Sequence, residues 1–304
     1  MTTIITKNSS TAGAIPTAGV LTQGELSVNV TDKKLYTKNA SGAVVGLGGD
    51  LTINNETALN TVTVGLNAGV AITSGSTGNT FIGSNAGKTM TGSGLSHVAI
   101  GYGAMELATT GTGHVAIGQS ALKNIAGTNF ATAVGNGAGQ NATSGGLSST
   151  FIGVLAGSGV TTGTQNTCIG YQANPSSATV SYEFTLGYTD ITTLRCNVTS
   201  ITSLSDARDK TDIIDTPYGL DFINTLQPRQ FKWDTRDGNI KDGKIEQGFI
   251  AQELLEAAGV NKAKLNLVLE ENPNKLEASA GNLIPVLVKA IQELTARVAE
   301  LENN

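Results

Sequence analysis

Through the middle of the chain, apolar and polar positions come in short bursts that return every 17 or 18 residues. Each burst ends in an aliphatic residue followed by glycine: Val64-Gly65, Ile82-Gly83, Ile100-Gly101, Ile117-Gly118, Val134-Gly135, Ile152-Gly153, Ile169-Gly170 and Leu186-Gly187. The steps between these glycines are 18, 18, 17, 17, 18, 17 and 17 residues. Three residues after the first seven sits an alanine (Ala68, Ala86, Ala104, Ala121, Ala138, Ala156, Ala173), and the eighth unit has Asp190 there. Such a period predicts a stack of like units rather than a globular core. Each unit reads as a short strand, a glycine, a small-residue corner and a polar return. "HVAIG" at 97–101 and 114–118 is the clearest strand, because Val and Ile suit a pleated surface. Side chains alternate faces along a strand, so the aliphatic residue before each glycine is expected to point inward. Glycine permits left-handed or crowded backbone at the corner. The alanine should sit where one layer presses on the next. Returns such as Thr109–Gly113 and Thr143–Gly146 carry turn chemistry.

One unit cannot bury a core alone, but stacked units can. The inward aliphatics per unit are few. A single-chain solenoid is therefore expected to be thinly covered, with the missing burial supplied by other copies of the chain.

A second periodicity closes the chain. Ile284, Leu287, Ile291, Leu294, Val298 and Leu301 step by 3, 4, 3, 4 and 3, an a/d heptad seam. Arg297 and Glu302 fall at flanking positions where they could pair between helices. Asn282 and Pro285 suit a helix start. The other reading is a helix packed on its own domain. Ile or Val at a with Leu at d leans toward dimers in parallel coils.

Composition divides the chain near residue 204. Residues 1–204 carry 7 Lys+Arg and 7 Asp+Glu with 32 of the 38 glycines, while residues 205–304 carry 12 and 17, the whole net charge of −5. The only tryptophan, Trp233, is also in the second part. A fibrous portion followed by a compact, normally charged domain is expected. The acidic balance and the lack of a basic stripe argue against nucleic acid. "MTTIITKNSS" at the start shows no charged stretch followed by an apolar run, so no secretory signal is expected. No segment approaches 18 uninterrupted apolar residues, so no membrane insertion is expected.

Candidate chemistry is sparse. Cys168 and Cys196 have no disulfide or metal-ligand spacing, and Cys168 takes a repeat position held elsewhere by Ala or Phe, which reads as a packed thiol. His97 and His114 each lead a "VAIG" unit and should stack on one edge of adjacent coils. Imidazole binds transition metals. The equivalent positions, Asn79, Ser149 and Asn166, read instead as a polar ladder, and no carboxylate is spaced to complete a site. No metal and no cofactor are expected. "GNGAG" at 135–139 recurs as "GSNAG" and "GVLAG", so it is a repeat corner, and no Lys-Ser/Thr follows it as a nucleotide loop needs.

The last hundred residues resemble a known family. "SLSDARDKTDIIDTPYGLDFINTLQPRQFKW" (203–233), "GFIAQEL" (248–254) and "LIPVLVKAIQELTARVAELE" (283–302) are similar to the C-terminal intramolecular chaperone domain of bacteriophage tail fibres, tailspikes and endosialidases. "LTQGELSVNVTDKKLYTKNASGAVVGLG" (21–48) resembles the β-rich head module of phage tail fibres, and the repeats resemble the β-roll heads of trimeric bacterial adhesins. The resemblance implies a domain that trimerises, templates the β-structured stalk ahead of it, and cuts itself off. The cut would lie at Ser205-Asp206, with Ser205 and Lys210 as the Ser-Lys dyad and Arg208 as the family's arginine. Asp209 stands where many members have leucine. A carboxylate beside Lys210 would favour the protonated amine, and a base must be neutral to take the serine proton. Read from residues alone, a Ser and a Lys five apart in a polar stretch are solvated loop groups.

The expected fold is mainly β: an elongated trimeric stalk of 17–18-residue β-roll or solenoid units, then an α+β chaperone domain ending in a coiled-coil helix. The expected divisions are a virion-attachment module (1–50), the stalk (51–190), a linker (191–204) and the chaperone (205–304). The expected function is a structural tail fibre of the virion, made in the host cytoplasm and attaching to the host surface. Its partners would be two further copies in a homotrimer, tail or baseplate proteins, and a bacterial surface glycan or protein receptor. No turnover of substrate is expected beyond single-turnover autoproteolysis. The alternatives are a trimeric bacterial adhesin, which needs a secretion signal and a membrane barrel, and a polysaccharide-degrading tailspike. The second needs a carboxylate pair, whereas Glu56, Glu106, Glu183 and Asp190 are scattered.

Overall fold

The computed structural model describes residues 7–31, 34–47, 51–54, 60–72, 77–91, 96–143, 148–197, 201–236, 238 and 240–303. The start of the chain, the expected boundary at 50, Glu56 and Ser144–Gly146 of one return lie outside the described residues.

The first four strands form one sheet: β1 (Lys7–Ser9), β2 (Leu26–Asn29), β3 (Lys34–Lys38) and β4 (Val44–Leu47). β1 runs parallel to β2, and β2, β3 and β4 run antiparallel to one another. The Tyr36 side chain, on β3, is buried.

The repeats form a β-solenoid. Its strands are β5 (Leu51–Asn54), β6 (Thr61–Val64), β7 (Thr80–Ile82) and β8 (Val98–Ile100), then β10 (Val115–Ile117), β12 (Thr132–Val134), β13 (Thr150–Ile152), β14 (Thr167–Ile169) and β15 (Phe184–Leu186). They lie side by side in chain order, and two short strands on the returns, β9 (Gly111–Thr112) and β11 (Thr128–Asn129), pair separately. From β6 onward the pairing is parallel and in register: Val115 faces Val98, Ala116 faces Ala99, Ile117 faces Ile100. β5 runs antiparallel to β6 and closes the first edge.

The structure corrects the expected inward face. Phe81, Ala99, Ala116, Ala133, Phe151 and Cys168, at the strand centres, are fully buried, whereas Ile82, Ile117, Val134 and Ile152 are 36–41% exposed. The parity is set by the residue leading each strand: His97 points in, so Ala99 does too, and Ile100 points out. A slip of one residue in such a reading exchanges the two faces. The corner alanines, by contrast, are buried as expected.

The expected thin coverage is also corrected, because the returns contribute Met90, Met105, Leu122, Ile125 and Val160 to a continuous buried cluster. Large and small residues alternate within it. The Phe151 ring lies where a β-carbon on Gly139 or Gly157 would fall, and Phe81 does the same at Gly87. Interiors packed to crystal density need such complementarity.

The C-terminal region is α+β. It contains α1 (Leu220–Ile223), a hairpin of β16 (Arg229–Lys232) and β17 (Ile245–Gly248), α2 (Ala251–Ala258), α3 (Lys262–Leu265), a pair of β18 (Val268–Leu269) and β19 (Glu277–Ala278), and α4 (Ile284–Glu302). Leu226, Leu254, Ala258, Leu265, Leu267, Leu283 and Val286 form its core. One face of α4 packs on its own domain, and its heptad residues lie outside that contact. Val286 and Ala290 are buried, and Glu293 Oε2 accepts from the Leu220 amide at 2.8 Å, so one face packs on its own domain. The a/d residues Ile284, Leu287, Ile291, Leu294, Val298 and Leu301 are exposed along the other. Pro285 occupies the first turn, but Asn282 donates to the Asn266 carbonyl rather than capping the helix. Arg297 approaches Asp221 at 3.9 Å within the chain. Among the described residues, no helix is long and apolar enough to cross a membrane.

Candidate functional site: the Ser205–Lys210 turn

Residues 201–206 run without regular structure into a single 3-10 turn, Ala207–Asp209. Asp206 starts that turn. Its side chain accepts from the Arg208 amide at 2.9 Å, and the Lys210 amide closes on the Ala207 carbonyl at 3.2 Å. The Arg208 guanidinium folds back onto the same carboxylate, with Nη2 2.6 Å from Oδ2 and Nε 3.0 Å from Oδ1. The side-chain bond to Arg208 is the first cause that holds the Asp206 carboxyl below its ordinary range.

The turn reverses the chain enough to bring the outer two residues together. Lys210 Nζ donates to Ser205 Oγ at 2.5 Å. Five residues of sequence separation would not require this contact; the 3-10 turn produces it. Ser205 and Lys210 are both exposed in the single chain. Among the described residues, Asp209 forms no ion pair with Lys210 within 4.0 Å.

The histidines stack as expected, with ring centroids 5.1 Å apart and planes at 14°, but inside the coil rather than on its surface. The polar ladder is more ordered than the sequence suggested. Asn79 Oδ1 accepts the His97 amide at 3.0 Å, His97 Nδ1 the His114 amide at 3.2 Å, and His114 Nδ1 the Ala131 amide at 3.2 Å. Ser149 Oγ then accepts from Asn166 at 3.0 Å, and Asn166 Oδ1 from Glu183 at 2.9 Å. Among the described residues, no three His, Cys, Asp or Glu gather as a metal site. Cys168 is buried, and burial first, then the Glu183 charge, pushes its thiol up to about 11, which leaves it unreactive. Glu106 pairs with Lys123 at 3.3 Å, and Glu183 accepts from Ser176 N and Oγ at 2.8 and 2.7 Å.

Residues 205–263, which begin at this serine, match the family described as chaperone of endosialidase. The C-terminal region carries an endosialidase-type chaperone domain. A stretch of 52 residues is 44% identical to the long tail fiber protein Gp37 of Enterobacteria phage T2, covering 16% of this chain and 4% of that protein. The chain thus spans a small part of the length of the tail fiber protein it matches. No solved structure matches the chain.

The matched region of the chaperone domain opens at Ser205 and runs through α1, the β16–β17 hairpin, α2 and into α3. Sequence reading located the SDARDK motif but missed the face by which α4 holds α1, because Glu293 and Leu220 are 73 residues apart. Nor did it find the bond from Asn272 Nδ2 to the Ser176 carbonyl at 3.1 Å, which ties the C-terminal region to the last coils.

Proposed function

We propose that the chain is a homotrimeric tail fibre that attaches a phage to its host, and that its chaperone domain assembles the stalk and then cuts itself off at Ser205-Asp206. The observation that carries the reading is the coincidence of the chaperone match with the Ser205–Lys210 contact. A serine hydroxyl is a weak nucleophile until a neighbour takes its proton, and a neutral lysine amine within hydrogen-bond reach can do so. In the single chain that amine faces water. Neutralising it calls for burial, which other copies closing over the turn would supply. Cutting would thereby be tied to completed assembly.

Assembly into several copies is supported by two uncovered apolar faces. One is the outward column Ile82, Ile117, Val134 and Ile152, which continues to Leu186 at the last strand. The other is the a/d seam of α4. Runs of exposed apolar surface on this scale mark association. Host attachment rests on the tail-fibre likeness, and the relative matched here is far longer than this chain.

The test is a denaturing gel of full-length protein with and without boiling, set beside light scattering of the native sample. Wild type should yield a trimeric stalk and a released fragment spanning 206–304. Ser205→Ala and Lys210→Ala should assemble but remain uncut. Intact wild-type trimers would remove the cleavage part of the reading, and monomers would remove the assembly part.

A further inference from the structure

The ladder inside the solenoid places a constraint on its two histidines that the other members do not face. Asn79, Ser149 and Asn166 accept an amide N–H through an oxygen that is an acceptor at every pH. His97 and His114 accept through Nδ1, which does so only when it carries no proton. At His97 the other ring nitrogen, Nε2, lies 3.2 Å from the Gly111 carbonyl, so the ring is fixed as the Nε2–H tautomer. Protonation would set an N–H at Nδ1 against the N–H of the coil above. It would also place two stacked cations 5.1 Å apart in a space with no solvent exposure.

We propose that His97 and His114 form an acid-sensitive break point in the stack, at which protonation of the pair loosens the coils between Asn79 and Ala131. Among the described residues, the strands packed against the pair bring no compensating charge. Strands β7, β8, β10 and β12 carry no ionisable side chain, and the ladder neighbours are Asn79 and Ala131. On the coils concerned, Lys123 is paired with Glu106, and Lys88 is the remaining charged residue of 60–143. The one carboxylate in the ladder, Glu183, stands four coils beyond His114.

The direction of the effect follows from burial. Desolvation is the first cause that depresses the His97 pKa, with the Gly111 carbonyl opposing it. A histidine that binds protons less readily when folded stabilises the fold fully above its unfolded value of about 6.5 and progressively less as pH falls below it. The chain contains two histidines, and both are here, so side-chain titration near neutrality is concentrated in this pair.

Thermal unfolding of the full-length protein from about pH 7.5 to about pH 5 tests the proposal against His97→Asn/His114→Asn, which installs the acceptor found at positions 79 and 166. Wild type should lose a few degrees more in Tm across that interval than the double variant. Parallel profiles would overturn the proposal. Should the double variant not fold, NMR titration of the two imidazoles in wild type decides. Titration well below about 6.5 supports the break point, and ordinary titration at that value ends it.

Discussion

The carbonyl oxygen of Gly135 lies 2.4 Å from the place where a β-carbon on Gly118 would stand. Gly118 has φ +129°, and the same close approach joins Gly83 to Gly101 and Gly135 to Gly153. The atoms met are backbone, which cannot swing aside. Gly118→Ala should therefore cost about 3 kcal/mol or more of stalk stability, through clash and strain together. Gly238→Ala, with φ +64° and open space around it, should cost about 1 kcal/mol. Thermal unfolding of both compares them, and equal losses would contradict the packing given for the corner.

Adjacent residues of one strand should respond in opposite ways. Ala116 is fully buried and Ile117 is not. Ala116→Asp introduces a carboxylate with no partner and should unfold the stalk at a cost of several kcal/mol, in the range of about 4 or more. Ile117→Asp should leave the coil folded and reduce assembly. Circular dichroism reads the first effect and light scattering the second. A folded, fully assembled Ile117→Asp protein would detach the outward column from the proposed interface.

Glu293 joins α4 to the start of α1 through the Leu220 amide. Glu293→Ala removes an acceptor from the first turn of a helix, a loss worth about 1 kcal/mol. Denaturant unfolding of the full chain, followed by fluorescence of Trp233, should show a midpoint shift of that size. An unchanged midpoint would mean that water replaces the carboxylate without loss.

At the proposed cleavage turn, Asp209→Leu should leave the rate of fragment release within about twofold of wild type, because an exposed carboxylate that forms no ion pair exerts little force on its neighbour. A clear acceleration on a timed gel would restore the carboxylate as a brake on Lys210.

The repeat, the strand ends and the corner residues were legible because each rests on one-dimensional facts: a period, an aliphatic-glycine step and an alanine at fixed distance. Which face points inward was not. Hydrophobicity favours Ile117 over Ala116 as a core residue, and only the buried amide-accepting side chain at His114 sets the parity the other way. Likewise, the heptad of α4 was visible, while the packing of Val286 and Ala290 was not, since both suit either face of an apolar helix. The Ser205–Lys210 contact depends on a turn that Asp206 caps locally, and spacing alone does not require it.

The in-register stacking of the coils makes reach a quantised property. Excising residues 101–117 would join Ile100 to Gly118, preserve an aliphatic-glycine step and shorten the stack by one strand spacing, ~4.8 Å. Duplicating the same segment would lengthen it by as much. Unequal recombination between neighbouring repeats therefore offers such a chain a graded series of lengths, each built from contacts it already makes.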